Sequence, residues 1–508
     1  MKTHAVLGRR GVLGVSRSRD GTVGDNNFQA GPAGKRGYDD GHTAPHATGG
    51  RAMTDRGVVA RVARRVAASD LVPTAQRAVL GHYAETGTLD YRALGLKSRV
   101  DDAMEEILAA LYGDVEAALC EAVGVDDAEF RYETKLTLPA ELTLGYLFRQ
   151  ARSRAEGGYD PVADEPAGTG GWLSLPAPGG RPDGTVHRRR ANREADALVR
   201  DAREMTAFVV AALLDGDMRD AINDDEFEDF GVNLEADVDR RRVATVAQSC
   251  LEERVAAGFA EYPDGVRAAY DHAVEVSEAH QAQDERFRAL LAAAIRDDGD
   301  TDAGADARTD AGSTTRAGVG ADASGNADVG EGEGEGDDDR PDVDGTGAEL
   351  TPEAAREAIE AEYKHRPMAD DDHPFTDAEL DLPYLTTQYD RVGVIYHGML
   401  EMYRHAGFEV EETFERSIVF TIVGAQVWLD DVDDYTDDVA EGQLTPVTAE
   451  YVLADSEREA FETVVDVAEA YFDRGRSYAE AADSTLTGLA VEYVLRSGDV
   501  EHLPGADS

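Results

Sequence analysis

The chain has 508 residues, with 103 Asp and Glu against 50 Lys and Arg, a formal net charge of −53. Such a charge repels nucleic acid and anionic membranes, which excludes both as partners, and it strains a compact fold unless cations screen it. Two cysteines, Cys120 and Cys250, cannot build a disulfide framework, no apolar run reaches the length of a membrane span, and an acid-rich composition with lysine only at Lys2, Lys35, Lys97, Lys135 and Lys364 suits the salty cytoplasm of a halophile.

Residues 1–52 are rich in Gly and Arg, poor in large apolar side chains and without periodicity, which predicts a disordered leader with no signal-peptide core; Met53 offers an alternative start. Residues 53–296 read as a helical segment. DDAMEEILAALYGDVEAALCEAV (101–123) and ADALVRDAREMTAFVVAALLDG (196–216) repeat apolar residues at steps of three and four, with Val199, Ala202, Met205, Val209, Ala212 and Leu213 on one stripe of the second. Between them, 155–190 is rich in Gly, Pro and Asp and predicts a long loop. The one alternating stretch, YETKLTLPAEL (132–142), is too short and isolated to found a sheet, so no strand is expected. Residues 297–350 are a Gly- and Asp-rich acidic linker, expected to be disordered and self-repelling. A second helical segment, 351–508, opens at Thr351-Pro352-Glu353, a cap residue with proline in the first turn. One helix spans about 385–405, with Val392, Ile395, Tyr396, Met399 and Tyr403 on a stripe. The next spans about 410–440, with Phe414, Ile418, Thr421, Ile422, Ala425 and Leu429 inward, and ends near Gly442. Thr445-Pro446 starts another, and Ser456 to Glu459 caps one more. The fold class is therefore all-α: two helical segments, forming one bundle if the linker is an insertion in a long loop.

Residues 427–443, VWLDDVDDYTDDVAEGQ, place six aspartates within nine positions. In so acidic a chain, the bland reading is a solvated helix end. If the helix is continuous from Phe414 to about Val439, however, Asp430, Asp434 and Asp438 share one face, with Asp433 and Asp437 in a second row. Like charges at this spacing cost roughly 0.2–0.5 kcal/mol per pair, and the negative end of the helix dipole adds to that. The preceding turns are apolar nearly all round, so the carboxylates end a buried helix and need a partner. A hard divalent cation such as Mg²⁺, which prefers oxygen ligands, supplies one.

DDVDDYTDD resembles the second aspartate-rich motif of the all-helical isoprenoid diphosphate synthases, the polyprenyl and terpene synthase-like enzymes. That motif reads D-D-x-x-D, often followed by Y-T-x-D and a glycine, here Gly442. Gln426 falls one residue early for the family's usual glutamine, and Gln443 stands where many members carry lysine. The resemblance implies a helical bundle of the isoprenoid-synthase type. It implies Mg²⁺ held by Asp430 and Asp434, with Asp431 and Asp438 supporting, and an isoprenoid diphosphate held by the metal. Prenyl transfer, cyclisation or simple diphosphate loss would follow. The facing motif it requires is best matched by NDDEFEDFGVN (223–233), with Asp224, Asp225 and Glu228 as D-D-x-x-E and Arg240, Arg241 and Arg242 further on; a solvated helix end is the bland alternative. The diphosphate also needs cationic donors. Arg391, Arg404 and Arg416 lie upstream, and Tyr435, Trp428 and Tyr403 are candidates to shape a hydrocarbon pocket if they are not plain core. The family's mid-chain lysine is not identifiable, which argues against ordinary chain elongation. A homodimer is left open. The alternative is a non-catalytic helical binding or scaffold protein that keeps the fold behind an acidic surface. Glu362 with His365, and Glu278, His280, Asp284 and Glu285, read as exposed helix faces rather than metal sites.

Overall fold

The computed structural model describes residues 63, 74–86, 91–132, 135–162, 182–224, 227, 230–234, 238–296, 350–369 and 373–506. These are mostly helical. Before the acidic linker come α1 (Thr74–Thr86), α2 (Tyr91–Val123), α3 (Leu138–Arg154), α4 (Pro182–Asp224), α5 (Arg240–Glu261), α6 (Asp264–Gln281) and α7 (Asp284–Ile295). After it come α8 (Pro352–Ile359) and α9, which begins as Leu385–Gln388 and runs on through Val394–His405. Then follow α10 (Glu412–Ala425), α11 (Tyr435–Glu441), α12 (Pro446–Leu453), α13 (Glu457–Ala481) and α14 (Thr485–Leu495). The leader 1–52 and the linker, apart from Leu350, lie outside the described residues.

The helix starts follow from local chemistry. The Thr351 hydroxyl accepts the Ala354 N–H ahead of Pro352. Thr445 and Thr448 cap each other reciprocally. Ser456 accepts from the Glu459 N–H, while the Glu459 carboxylate accepts from the Asp455 N–H. Of the expected loop over 155–190, residues 163–181 lie outside the described residues, and from Pro182 the chain is helical, in α4. Proline suits a first helical turn, and the arginines after it are good helix formers.

The expectation of no strand fails. Ala128–Tyr132 (β1) pairs antiparallel with Phe230–Leu234 (β2), with Phe130 opposite Val232. AEFRY does alternate buried and exposed side chains, but its partner lies far along the chain, beyond any local pattern. Phe130 and Phe230 stack with ring centroids 5.9 Å apart. Within the alternating stretch 132–142, Tyr132 ends β1, Lys135–Thr137 form a 3-10 turn and Leu138 begins α3.

The two helical segments share one core. Tyr146 of α3 stacks on Phe414 of α10, with centroids 4.0 Å apart, and Thr206 of α4 bonds the Tyr403 hydroxyl of α9 at 2.7 Å. α10 lies at the centre, buried on every face from Ser417 to Ala425. It packs closely on α13, since a Cβ on Gly424 would press on Phe472 and one on Gly475 on Thr421. Each fully buried Phe or Ile contributes about 1.5–3 kcal/mol.

The helix directions gather distant stretches at one end of the bundle. α5 lies antiparallel to α4, with Gly258 against Phe208 and Arg241 on the Ile222 carbonyl. α9 lies antiparallel to α6, with Gly265 against His405 and His280 in the field of Arg391. α10 then returns beside α9. The C-terminal ends of α4, α6 and α10 and the start of α9 thus share one end. There, three helices widen into π turns: Glu360–Lys364 after α8, Tyr389–Gly393 within α9, and Gln426–Asp431 after α10. Single π turns inside helices often accompany functional sites.

The acidic helix is therefore not continuous from Phe414 to Val439. It widens, breaks over 432–434, resumes as α11 and stops at Gly442, whose φ of 70° forms the left-handed cap. Regular turns would stack Asp430, Asp434 and Asp438 in one row of like charge, and the break relieves that row.

Candidate metal and anion site

The six aspartates divide. Asp430 and Asp431 end the π turn and are 4% and 1% exposed. Asp438 of α11 is buried and Asp434 half-buried, whereas Asp433 and Asp437 face outward. Arg391, from the π turn of α9, donates Nη1–H to Asp431 Oδ1 at 3.0 Å. The Gln426 amide donates to Asp430 Oδ2 and, at 3.4 Å, to Asp431 Oδ1. Arg391, Asp430, Asp431, Asp434, Asp438 and Gln443 line one recess.

Four carboxylates here face one guanidinium. Burial, then the charge of Asp431, pushes the Asp430 carboxyl well above the usual carboxylate range. Burial also raises Asp431, against the pull of Arg391. Burial and then Asp431 push Asp438 up to about 8. Two buried oxygens, Asp431 Oδ2 and Gln426 Oε1, have no hydrogen-bond partner. Among the described residues, the donors and the one guanidinium present thus leave part of the buried acidic oxygen unmatched. The donor set is all oxygen, which a hard divalent cation prefers.

The raised carboxyls set a direction for stability against pH. In the folded chain Asp438 keeps its proton up to about pH 8, where the unfolded chain releases it near pH 4, and Asp430 and Asp431 are shifted in the same direction. Without a divalent cation, these groups therefore cost stability as pH rises from about 4 to about 8. Melting curves in KCl should show a lower melting temperature at pH 8 than at pH 6, and added MgCl₂ should recover it at pH 8 far more than at pH 6. A melting temperature indifferent to Mg²⁺ at both values would count against a cation in the recess.

A second hollow adjoins the first and shares Arg391 and Gln443 with it. It encloses about 30 Å³ and is lined also by His280, Asp284, Arg288 and Tyr363. His280 ends α6 and is 4% exposed, with Nδ1 unpartnered. Burial, then the charges of Arg391 and Arg366, pushes its pKa down to about 3, so the ring is neutral. Arg288 is half-buried and makes no ion pair among the described residues. The site thus has an acidic side and a cationic side that meet at Arg391.

The expected residues do not all converge. Arg404 clamps Glu415 through both Nη nitrogens of its guanidinium, at 3.0 and 2.6 Å. Arg416 bonds the Pro374 carbonyl and lies over the Tyr478 ring. Both anchor near the start of α10, about 20 Å along the helix axis from Asp430, so neither is a donor to this site. Tyr435 packs on Tyr451, with centroids 4.6 Å apart, rather than lining the recess. Trp428 and Tyr403 are buried in apolar clusters. The backbone of Asp224 ends α4 at the same end of the bundle, while Asp225 and Glu228 lie outside the described residues. The following arginines cap carbonyls: Arg240 on Phe227 and Phe230, Arg241 on Ile222, and Arg242 on Ala122. Glu362 is bonded to Arg286 at 2.8 Å, as a surface residue would be.

His280 is the residue that its local sequence concealed. SEAHQAQDER looks polar, yet Val266, Ala273 and His280 recur at seven-residue steps on the inner face of α6. Among the described residues, the side chains that cluster closely enough for a metal are His397, Glu401 and Glu415. Arg404 already bridges the two glutamates, His397 Nε2 lies 3.0 Å from Glu415, and Tyr389 holds the other ring nitrogen. Against the upward push of burial, His397 and Arg404 keep Glu415 below the usual carboxylate range. That cluster is complete without a metal. No family model, curated protein or solved structure matches this chain.

Proposed function

We propose that the chain is a Mg²⁺-dependent enzyme acting on an isoprenoid diphosphate. The observation that carries the reading is the buried aspartate group at a helix end, with too little positive charge and two unpartnered buried oxygens. Asp430 and Asp434 would hold the metal, with Asp431 and Asp438 supporting. Bound there, Mg²⁺ would neutralise the charge that builds on a leaving diphosphate. Arg391 and Arg288 supply cations to its oxygens from the other side, and Arg391 also keeps Asp431 oriented. Neutral His280 offers a hydrogen bond without adding charge. That α4 ends, at Asp224, at the same end of the bundle is compatible with a facing acidic motif.

One observation favours the second reading, a binding or scaffold protein that keeps the bundle without the chemistry. The hollow beside the aspartates holds about 30 Å³, whereas ligand pockets usually span roughly 300–1,000 Å³. Tyr396, Tyr403, Phe414 and Phe420 fill the interior that a hydrocarbon tail would need. Pyrophosphate release from C10, C15 and C20 allylic diphosphates, in concentrated KCl with and without Mg²⁺, separates the readings. Mg²⁺-dependent release supports the enzyme. Mg²⁺ binding without release from any of the three establishes the scaffold.

A further inference from the structure

We infer that the segment after α14, residues 498–506, fixes the acidic turn through His502, a positioning residue for the metal site. This rests on the cation-binding part of the reading above. Where the acidic helix breaks, the Val432 carbonyl loses its regular helical partner, and the Tyr435 N–H reaches it only at 3.3 Å. His502 Nε2 lies 2.9 Å from the same oxygen. A carbonyl only accepts, so Nε2 carries the proton and donates. Both the neutral Nε2–H tautomer and the imidazolium provide that donor, so the bond does not depend on one protonation state. Val432 follows Asp431 directly and precedes Asp434 by two residues. Where its carbonyl is held therefore governs how Asp434 stands relative to Asp430 and Asp431.

The strap that carries His502 is anchored on both sides. Before it, the Gly498 backbone lies against the Trp428 indole, where any Cβ would overlap the ring. Trp428 Nε1 in turn donates to the Leu495 carbonyl at 3.3 Å. After it, Leu503 is buried in the same apolar cluster as Val432, Trp428 and Leu429. The Tyr451 hydroxyl donates to the Pro504 carbonyl at 2.6 Å. Gly505, with φ of 89°, lies against the Glu457 backbone at the start of α13. Tyr451 also packs on Tyr435, the first residue of α11. The turn is thus gripped from one side by His502 and from the other by an aromatic pair tied to the same strap. His502 itself is exposed, so exchanging it removes one hydrogen bond and little packing.

The test uses the full chain in KCl with Mn²⁺ as the probe, read by electron paramagnetic resonance, together with amide hydrogen exchange over 430–438. His502→Ala should weaken Mn²⁺ binding by about five-fold and speed exchange in the turn by a similar factor, as the loss of one hydrogen bond implies. His502→Gln, whose amide N–H can take the place of Nε2–H, should restore both. Unchanged binding or unchanged exchange in His502→Ala overturns the inference, as does a His502→Gln chain no better than His502→Ala. A wild-type chain that binds no Mn²⁺ overturns the metal site and this role together. Mn²⁺ binding without pyrophosphate release overturns the enzymatic reading alone.

Discussion

Asp430→Asn/Asp434→Asn is expected to lower Mg²⁺-dependent pyrophosphate release by about three orders of magnitude and to leave the fold at least as stable. The two halves of this result have different causes. The loss of activity follows from removing two of the oxygen anions that would hold the metal. The preserved stability follows from charge: Asp430 is buried among like-charged neighbours, and burial already drives its carboxyl towards the protonated form. An amide has nearly the same shape, carries no charge, and keeps an oxygen to accept the Gln426 N–H. Pyrophosphate release and melting temperature, measured on the same preparations, check both halves. A mutant that releases pyrophosphate like the wild type would mean that the aspartates belong to the acidic surface. One that unfolds would mean that they are structural.

Replacing Arg391 has the opposite signature. Arg391→Leu should destabilise the chain by about 3–5 kcal/mol, the usual cost of removing one partner of a buried ion pair. Arg391 is the cation bonded to Asp431, which is itself 1% exposed, and Asp430 and Asp438 lie in its field. Arg391→Leu/Asp431→Asn should recover more than half of the loss, because no uncompensated buried charge then remains at Asp431. Urea titrations of the wild type, both single variants and the double variant give the coupling. Additive effects would show that the pair does not interact and that Arg391 matters only through its packing.

The helices named in advance were legible because they carry an apolar stripe, as at 101–123, 196–216 and 385–405, or, at 351, 445 and 456, a cap residue in the right place. The central position of α10 was legible from turns that are apolar nearly all round. β1 and β2 were not, because strand pairing between distant stretches leaves no local period. Of the site, the aspartates and Arg391 could be named from the sequence. Their environment could not, since the same DDVDDYTDD puts Asp431 inside and Asp433 outside, and a smooth helical wheel has no place for the π turn that separates them. Arg404 and Arg416 looked equivalent to Arg391 by proximity along the chain. Their partners, Glu415 and the Pro374 carbonyl, show that the carbonyls and carboxylates nearest in space decide which arginine stays with the site.

The π turns have a genealogical consequence. Such a turn accommodates one surplus residue while the helix on either side keeps its phase. Shortening 389–393 and 426–431 by one residue each would turn both into ordinary helical turns, with the stripes of α9 and α10 still aligned on the core and the break over 432–434 still in place. The pairing of Arg391 with Asp431 would be lost and the bundle would not. Site and scaffold thus rest on different features of these helices, the site on their π turns and the scaffold on their stripes. A relative lacking just those residues would share its architecture without sharing what the architecture presents at that end.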